Sequence, residues 1–313
     1  MPLAEVDELR LTIITDNTID LTLPDSSVAK RLPLPTEIRL DVQPPVAEHG
    51  FSVLLDVHRG DHSAKVLFDT GISQRGFLHN LDALEICAPE VQAVVLSHGH
   101  SDHTTGLLGL ASRFGERRVP MVVHPDAYLE RKMVFPDGRE WQMPTPLLAD
   151  YRRDGIEVLE EVGPSMLVEN MVLISGEVPR TTSFEHGLPP QWARRNGHWE
   201  HDPLTRDDQC AIVRVKDKGL VIVTGCGHAG VVNIVRQAQA LTGEQDIYAI
   251  IGGFHLNGPL FERIIPQTVL ALVEINPRYI VPGHCTGFPA MLQLAMAMPT
   301  AYLTNSVGTT YVL

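Results

Sequence analysis

The stretch Ser97-His98-Gly99-His100-Ser101-Asp102-His103 places three imidazoles and a carboxylate within six positions. It follows an apolar run, Val91 to Leu96, and precedes a helix-like run, Thr104 to Phe114. In extended backbone, alternate side chains point to one side, so His98 and His100 reach one ion together. Asp102 and His103 fall where the chain turns toward the helix, facing a second ion a few ångströms away. Imidazole and carboxylate suit zinc, iron or manganese, and no thiolate in the stretch imposes a closed structural site. A polar loop that is His-rich by accident is the alternative, and it leaves the clustering of ligand types unexplained.

The elements that position this stretch are legible from periodicity. Leu9 to Thr15, Phe51 to Val57, Lys65 to Phe68 and Val91 to Leu96 read as strands. Ser73 to Leu84 reads as a helix, and Val119 to His124 as another strand. Pro136-Asp137-Gly138 is a hairpin-type turn. Gly155 to Glu160 and Met171 to Ser175 also read as strands. Ala211 to Val215 and Gly219 to Val223 form a hairpin, followed by helix Val231 to Leu241. Strand Ile247 to Ile251, helix Leu260 to Ile275, strand Tyr279 to Val281, helix Phe288 to Met298 and strand Thr309 to Leu313 complete the chain. The Pro-rich segment Leu23 to Pro45 reads as an irregular excursion with the character of a flap.

One pattern recurs. A buried strand ends in a Gly/His turn and a helix begins, at His98, at Gly227-His228, at Gly253-Phe254-His255 and at Gly283-His284. Ligands carried at the carboxyl ends of several strands converge at one edge of a sheet. The segment Thr181 to Asp208 holds Pro189-Pro190, Trp192, Trp199 and three histidines and reads as the least regular part. A polar, aromatic loop of that length is expected to be functional and to cover the substrate.

Composition narrows the function classes. The 313 residues carry 38 acidic and 25 basic side chains, a formal net charge of -13. That field repels polyanions, so nucleic acid is not an expected partner. Cys87, Cys210, Cys226 and Cys285 are scattered and form no CxxC pair, which fits a reducing compartment. The acidic N-terminus has no signal-peptide pattern, and no apolar run approaches the roughly 18 residues that span a bilayer. The reading is a cytoplasmic protein with a small-molecule substrate and no membrane partner. The 1–313 span is expected to be a single domain with an active-site insert at 181–208.

With these residues in place, the chain resembles the metallo-β-lactamase-fold superfamily. The 97–103 stretch matches its HxHxDH signature, Leu67-Phe68-Asp69-Thr70-Gly71 its preceding strand-end Asp, and Pro282-Gly283-His284 its late turn. Within that superfamily it is similar to the branch of dihydropterin-ribofuranosylaminobenzene-phosphate synthase and related metal-dependent hydrolases. Asp16-Asn17-Thr18, Gly225-Cys226-Gly227-His228-Ala229-Gly230, Gly252-Gly253-Phe254-His255-Leu256 and Pro282-Gly283-His284-Cys285-Thr286-Gly287 carry that similarity. The resemblance implies an α/β fold, an αββα sandwich of two packed mixed sheets flanked by helices, with metals at one edge.

It also implies roles. His98 and His100 would hold a first metal, and Asp102, His103 and His284 a second. Where many members carry a mid-chain Gly-His, this chain has Ser175-Gly176-Glu177, and the usual bridging Asp appears as Cys226. His228 is then the expected replacement ligand, with Cys226, His255 and Glu177 as further metal or substrate contacts. Asp69 would take the far N–H of a ligand histidine and fix its orientation. Asn17 either contacts substrate or only ends the first strand. The expected cofactors are two divalent ions, zinc first, with manganese, iron or magnesium as alternatives.

The expected chemistry is hydrolysis of an ester, lactone, amide or phosphoester by a metal-activated hydroxide, with Asp102 holding the second ion and orienting the nucleophile. The alternative is a pterin-transferring synthase acting on a dihydropterin pyrophosphate and an arylamine phosphate.

Overall fold

The computed structural model describes residues 2–32, 43–146 and 155–313. Its two main sheets stack face to face. The first runs, in spatial order, Ser165–Leu167, Val172–Ile174, Cys210–Val215, Gly219–Thr224, Ile247–Gly253 and Tyr279–Gly283, with Glu5–Val6 beside Cys210–Val215. The second runs Ile156–Glu160, Val119–Val123, Val91–Val95, His62–Phe68, Ser52–Arg59, Glu8–Thr15, Thr310–Val312 and Ala29–Lys30. Both are mixed: in the second, Glu8–Thr15, Ser52–Arg59 and His62–Phe68 pair antiparallel and His62–Phe68, Val91–Val95 and Val119–Val123 run parallel, and in the first Cys210–Val215 and Gly219–Thr224 pair antiparallel while Gly219–Thr224, Ile247–Gly253 and Tyr279–Gly283 run parallel.

The strands are apolar on both faces because each sheet is covered on both sides. Val53, Leu55 and Val57 point inward, where they meet the layer of Val213, Val221, Val223, Ala249 and Ile251 from the facing sheet. Leu54, Leu67 and Val94 point outward onto Phe77, Leu81, Leu107 and Leu110. On the opposite outer face Ile222 and Ile250 pack with Val231, Ile234, Leu272 and Leu294. The helices there are Val231–Thr242, Ile265–Ile275 and Phe288–Ala297; Gln74–Ala83 and Leu107–Ala111 cover the other face. The architecture is the expected αββα sandwich.

Two expectations change. The helix expected over 104–114 is two short ones, Ser101–Thr104 and Leu107–Ala111. Gly106 sits at the break, where a Cβ would lie 2.0 Å from the Thr70 carbonyl oxygen, so the chain hugs the neighbouring strand end there. The segment 181–208 is more regular than expected. Gln191–Arg195 and His198–His201 form a hairpin through Asn196 and Gly197, both left-handed (φ 50° and 82°). That hairpin joins Arg131–Val134 and Glu140–Gln142 in a small accessory sheet. Of the Leu23 to Pro45 excursion, residues 33–42 lie outside the described residues, and with them the middle of the expected flap. Among the described residues no helix is long and apolar enough to cross a membrane.

Candidate metal centre

Five strands from both sheets end at one edge, and each delivers a polar turn. Val91–Val95 leads to His98, His100, Asp102 and His103; His62–Phe68 leads to Asp69; Gly219–Thr224 leads to Cys226 and His228; Ile247–Gly253 leads to His255; Tyr279–Gly283 leads to His284. The backbone is bent sharply to do this. Asp69, His255 and His284 are left-handed at φ 59°, 44° and 48°, a region that non-glycine residues rarely occupy. Gly225 lets the 225–230 turn close onto the centre, since a Cβ there would lie 2.1 Å from Ser97 Oγ.

Three overlapping groups of ligand atoms result, each with its members within 4.8 Å of one another. His98, His100 and His228 make the first. Asp102, His103, Cys226 and His284 make the second. Cys226, His228 and His255 make the third. Cys226 Sγ stands between histidines, 3.2 Å from His103 Nε2 and 3.3 Å from His284 Nε2. Asp102 Oδ2 lies 3.3 Å from His284 Nε2 and 3.6 Å from His103 Nε2. Glu177 belongs to none of these groups; its half-exposed carboxylate faces His124 Nε2 at 3.3 Å.

Hydrogen bonds behind the ligands decide which ring nitrogen faces inward. Asp69, fully buried, accepts from Ser97 N–H, from the Ser97 hydroxyl and from His103 Nδ1–H, each at 2.7 Å. Because that hydroxyl gives its proton to Asp69, it accepts from His98 Nδ1–H at 2.9 Å. His98 Nε2 is then a buried lone pair with no hydrogen-bond partner. Asn17 Oδ1 accepts from Gly50 N–H, which sets its amide, and from His284 Nδ1–H at 3.1 Å. Asp16, also buried, holds His284 N–H at 3.2 Å and Asn305 at 2.6 Å. His98, His103 and His284 thus each turn Nε2 toward the centre, as a metal ligand requires.

The electrostatics fit a cation. Burial pushes His98 and His228 well below the ordinary imidazole range and His100 down to about 4, so all three are neutral and able to donate lone pairs. Burial acts against His103 too, but Asp102 and Asp69 bring it up to about 9. His284 is raised against its burial by Cys285 and Asp102. Burial would raise Asp102 as well, yet His103 and His284 hold it well below the usual carboxylate range. Within the second group the ionised Asp102 carboxylate is the negative charge a cation would meet. A buried orphan nitrogen, inward-facing imidazoles and an ionised carboxylate together suit a divalent ion.

Over this floor lies a cavity of about 860 Å³. Ile72, Met133, Trp141, Met143 and Leu188 form an apolar wall facing Asp102, His228 and His284. Trp141, half exposed, lines the cavity where Trp192 and Trp199 do not. Those two are occupied within the accessory sheet, Trp192 against the His201 ring and Trp199 under the Lys132 ammonium. The sequence reading missed Asp16, His49, Trp141 and Gln191. Asp16 carried a signal, standing with Asn17 at the end of a strand; Trp141, three residues after a turn, carried none. His49 also lines the cavity, with Nε2 3.5 Å from Asp102 Oδ2.

Comparison with known proteins places this geometry. Residues 64–145 match a family described as the beta-lactamase superfamily domain. The chain is 30% identical over 255 residues to 7,8-dihydropterin-6-methyl-4-(beta-D-ribofuranosyl)-aminobenzene-5'-phosphate synthase of Methanocaldococcus jannaschii, a match covering 78% of this chain and 83% of that protein. Its fold is similar to the crystal structure of a metal-dependent hydrolase of the beta-lactamase superfamily, with a TM-score of 0.73 and 24% identity over 96% of this chain and 98% of the other. The metallo-beta-lactamase fold protein YhfI from Bacillus subtilis gives a TM-score of 0.55 at 12% identity, over 98% and 100% of the two chains.

Proposed function

The chain belongs to the metallo-β-lactamase superfamily, and we propose that it is a metal-dependent hydrolase cleaving a small-molecule ester, lactone or phosphoester. The observation that carries this reading is the meeting of His98, His100 and His228 with Asp102, His103 and His284 on either side of Cys226. Divalent metal held there supplies Lewis acidity and a nucleophilic water near neutral pH.

The residues would divide the work. His98 Nε2, His100 Nδ1 and His228 Nε2 form one set of ligands. His103 Nε2, His284 Nε2 and Asp102 form the other, with Cys226 between them and His255 in reserve beside His228. Zinc suits this mixed imidazole, thiolate and carboxylate set better than magnesium, which prefers oxygen; manganese and iron are the intermediate cases. Asp102 is the one member of these two sets that is not fully buried, 16% exposed and open to the cavity. From there its carboxylate accepts a hydrogen bond from the attacking water and aims it. The apolar wall of Met133, Trp141, Met143 and Leu188 binds the non-reacting part of the substrate and keeps bulk water off it. Asn17 is exposed at the cavity, where it would touch substrate, and its amide also orients His284. The protein would act in the cytoplasm on a small molecule, with no nucleic acid or membrane involved.

A second reading rests on the 30% identical relative, whose name is that of a synthase. The same cavity would then hold a dihydropterin pyrophosphate and an arylamine phosphate, and the residues would position the arylamine to attack the pterin methylene carbon as its C–O bond to pyrophosphate breaks and pyrophosphate leaves. One experiment separates the two. Purified protein of measured metal content is screened against lactones, phosphodiesters, phosphomonoesters and thioesters, and in parallel for coupling of the pterin and the arylamine phosphate. His100→Ala should remove metal and activity while sparing the fold; full turnover by a metal-depleted His100→Ala protein would refute both readings.

A further inference from the structure

We propose that Gln191, on the accessory sheet, is the positioning residue that fixes the tautomer of His100 and so completes the first ligand group. This rests on the reading that His98, His100 and His228 hold a metal ion.

The amide orientation of Gln191 follows from its neighbours. Its side chain is fully buried, so each polar atom needs a partner. One end lies 3.1 Å from the Asp202 carbonyl, 3.3 Å from Asp202 Oδ2 and 3.1 Å from Thr205 Oγ1. A carbonyl oxygen can only accept, so that end is the NH₂. The other end is therefore Oε1, and it lies 2.8 Å from His100 Nε2. An amide oxygen also only accepts, so His100 Nε2 carries the proton. The lone pair is left on Nδ1, which lies 3.2 Å from His228 Nε2. The opposite tautomer would set two lone pairs against each other inside a dry site and lose the ligand atom at once.

The backbone of the accessory sheet holds Gln191 in place. Gln191 N–H donates to Leu188 O at 3.0 Å, and Asp202 N–H donates to Gln191 O at 2.9 Å. Residue 191 pairs across the sheet with Met133, which itself lines the cavity. A second tether comes from the same sheet. Arg131 donates to Asp207 Oδ1 at 2.6 Å, and Asp207 Oδ2 accepts from Gly99 N–H at 2.8 Å. The accessory sheet thus grips the His-Gly-His turn by its backbone and by one ring, while Asp69 serves the other two histidines from below.

The test uses the full-length protein and Zn(II). Affinity is read by competition with a chromophoric chelator in the wild type, Gln191→Met and Gln191→Glu. Gln191→Met removes the acceptor and should weaken binding of one zinc about 10- to 100-fold. Gln191→Glu disturbs the Asp202 and Thr205 contacts equally but keeps an acceptor toward His100, so its zinc affinity should stay near that of the wild type. Unchanged affinity in Gln191→Met, or equal loss in both variants, overturns the proposal. A measurement that needs no variant keeps the question open to decision if either fails to fold. Long-range ¹⁵N–¹H correlation spectra of the chelator-treated wild type should show His100 as the Nε2–H tautomer, and an Nδ1–H tautomer overturns the assignment. If the protein binds no zinc at all, the metal reading fails on its own while the tautomer remains measurable.

Discussion

Asp69→Asn is the sharpest probe of how the centre is built. Asp69 sits at φ 59°, which Asn tolerates nearly as well as Asp, so the backbone is spared. The change falls on the three hydrogen bonds. If the amide nitrogen takes the place of Oδ2, it faces the Ser97 hydroxyl and His103 Nδ1–H; if it takes the place of Oδ1, it faces Ser97 N–H. Either way a donor meets a donor at a site with no water-exposed surface. In chelator-treated protein, the rise of His103 from 6.5 to about 9 against its burial is worth about 3 to 4 kcal/mol. Asp102 and Asp69 share that effect, so the share that Asp69→Asn removes is about 1–2 kcal/mol. The sign follows from linkage. A histidine whose pKa is raised on folding stabilises fully below 6.5, and that stabilisation fades as pH rises through about 9. The gap between wild type and variant should therefore be largest near pH 6 and narrow toward pH 9.5. His98, His100 and His228, depressed on folding, lose their stabilisation on acidification instead, but they are common to both proteins and largely cancel. Urea unfolding of both proteins in chelator at the two pH values measures the gap. A gap that is constant, or widens with pH, refutes the role given to Asp69.

Further expectations follow from the same geometry. Cys226→Ser replaces the buried sulfur at the centre with a harder, shorter group; zinc affinity should fall while manganese binding falls less, read by metal stoichiometry after dialysis against each ion. Trp141→Ala removes a half-exposed indole from the cavity wall. It should raise KM about tenfold for substrates with a bulky apolar part, leave KM for the smallest substrates unchanged, and leave metal content intact. Metal should raise the thermal midpoint in a concentration-dependent way, by about 2.7 kcal/mol of stability at 100 times Kd. A midpoint indifferent to added zinc would mean that the buried cluster is not a metal site.

Most of the fold was legible because its signals are local. Strands buried on both faces read as continuous apolar runs, and Gly/His turns marked where they end. The first ligand stretch was legible for the same reason, its chemistry lying within six consecutive positions. Pairing at a distance was legible only through the recurring Gly/His turns and the family resemblance, which marked His228 as a ligand; the stacking of two sheets is what brings it to His98 and His100 from more than a hundred residues away. Glu177 looked like a ligand by order along the chain, but its strand end leads to His124 instead. The accessory sheet was missed for a different cause. Asn196-Gly197 is a strong hairpin signal, but it lay inside a segment whose prolines and histidines suggested irregularity. Its partner strands come from 131–142, so no window along the chain contains both halves of the sheet.

The origin of the ligands in two separate sheets has an energetic consequence. His98, His100, Asp102, His103 and Asp69 descend from the sheet of Val91–Val95, whereas Cys226, His228, His255 and His284 descend from the sheet of Gly219–Thr224. Each of the first two ligand groups draws on both sheets. Neither is complete until the inner layer of Val53, Leu55, Val221, Val223 and Ile251 has packed. Metal bound to such a group acts as a clamp across the sandwich, adding its binding energy to the inter-sheet core and none to either sheet alone. A core truncation such as Val223→Ala, remote in sequence from His98, should therefore weaken metal binding as well as stability. The accessory sheet adds a third body to that clamp through Gln191 and Asp207, tying the cavity wall to the turn that carries His98 and His100.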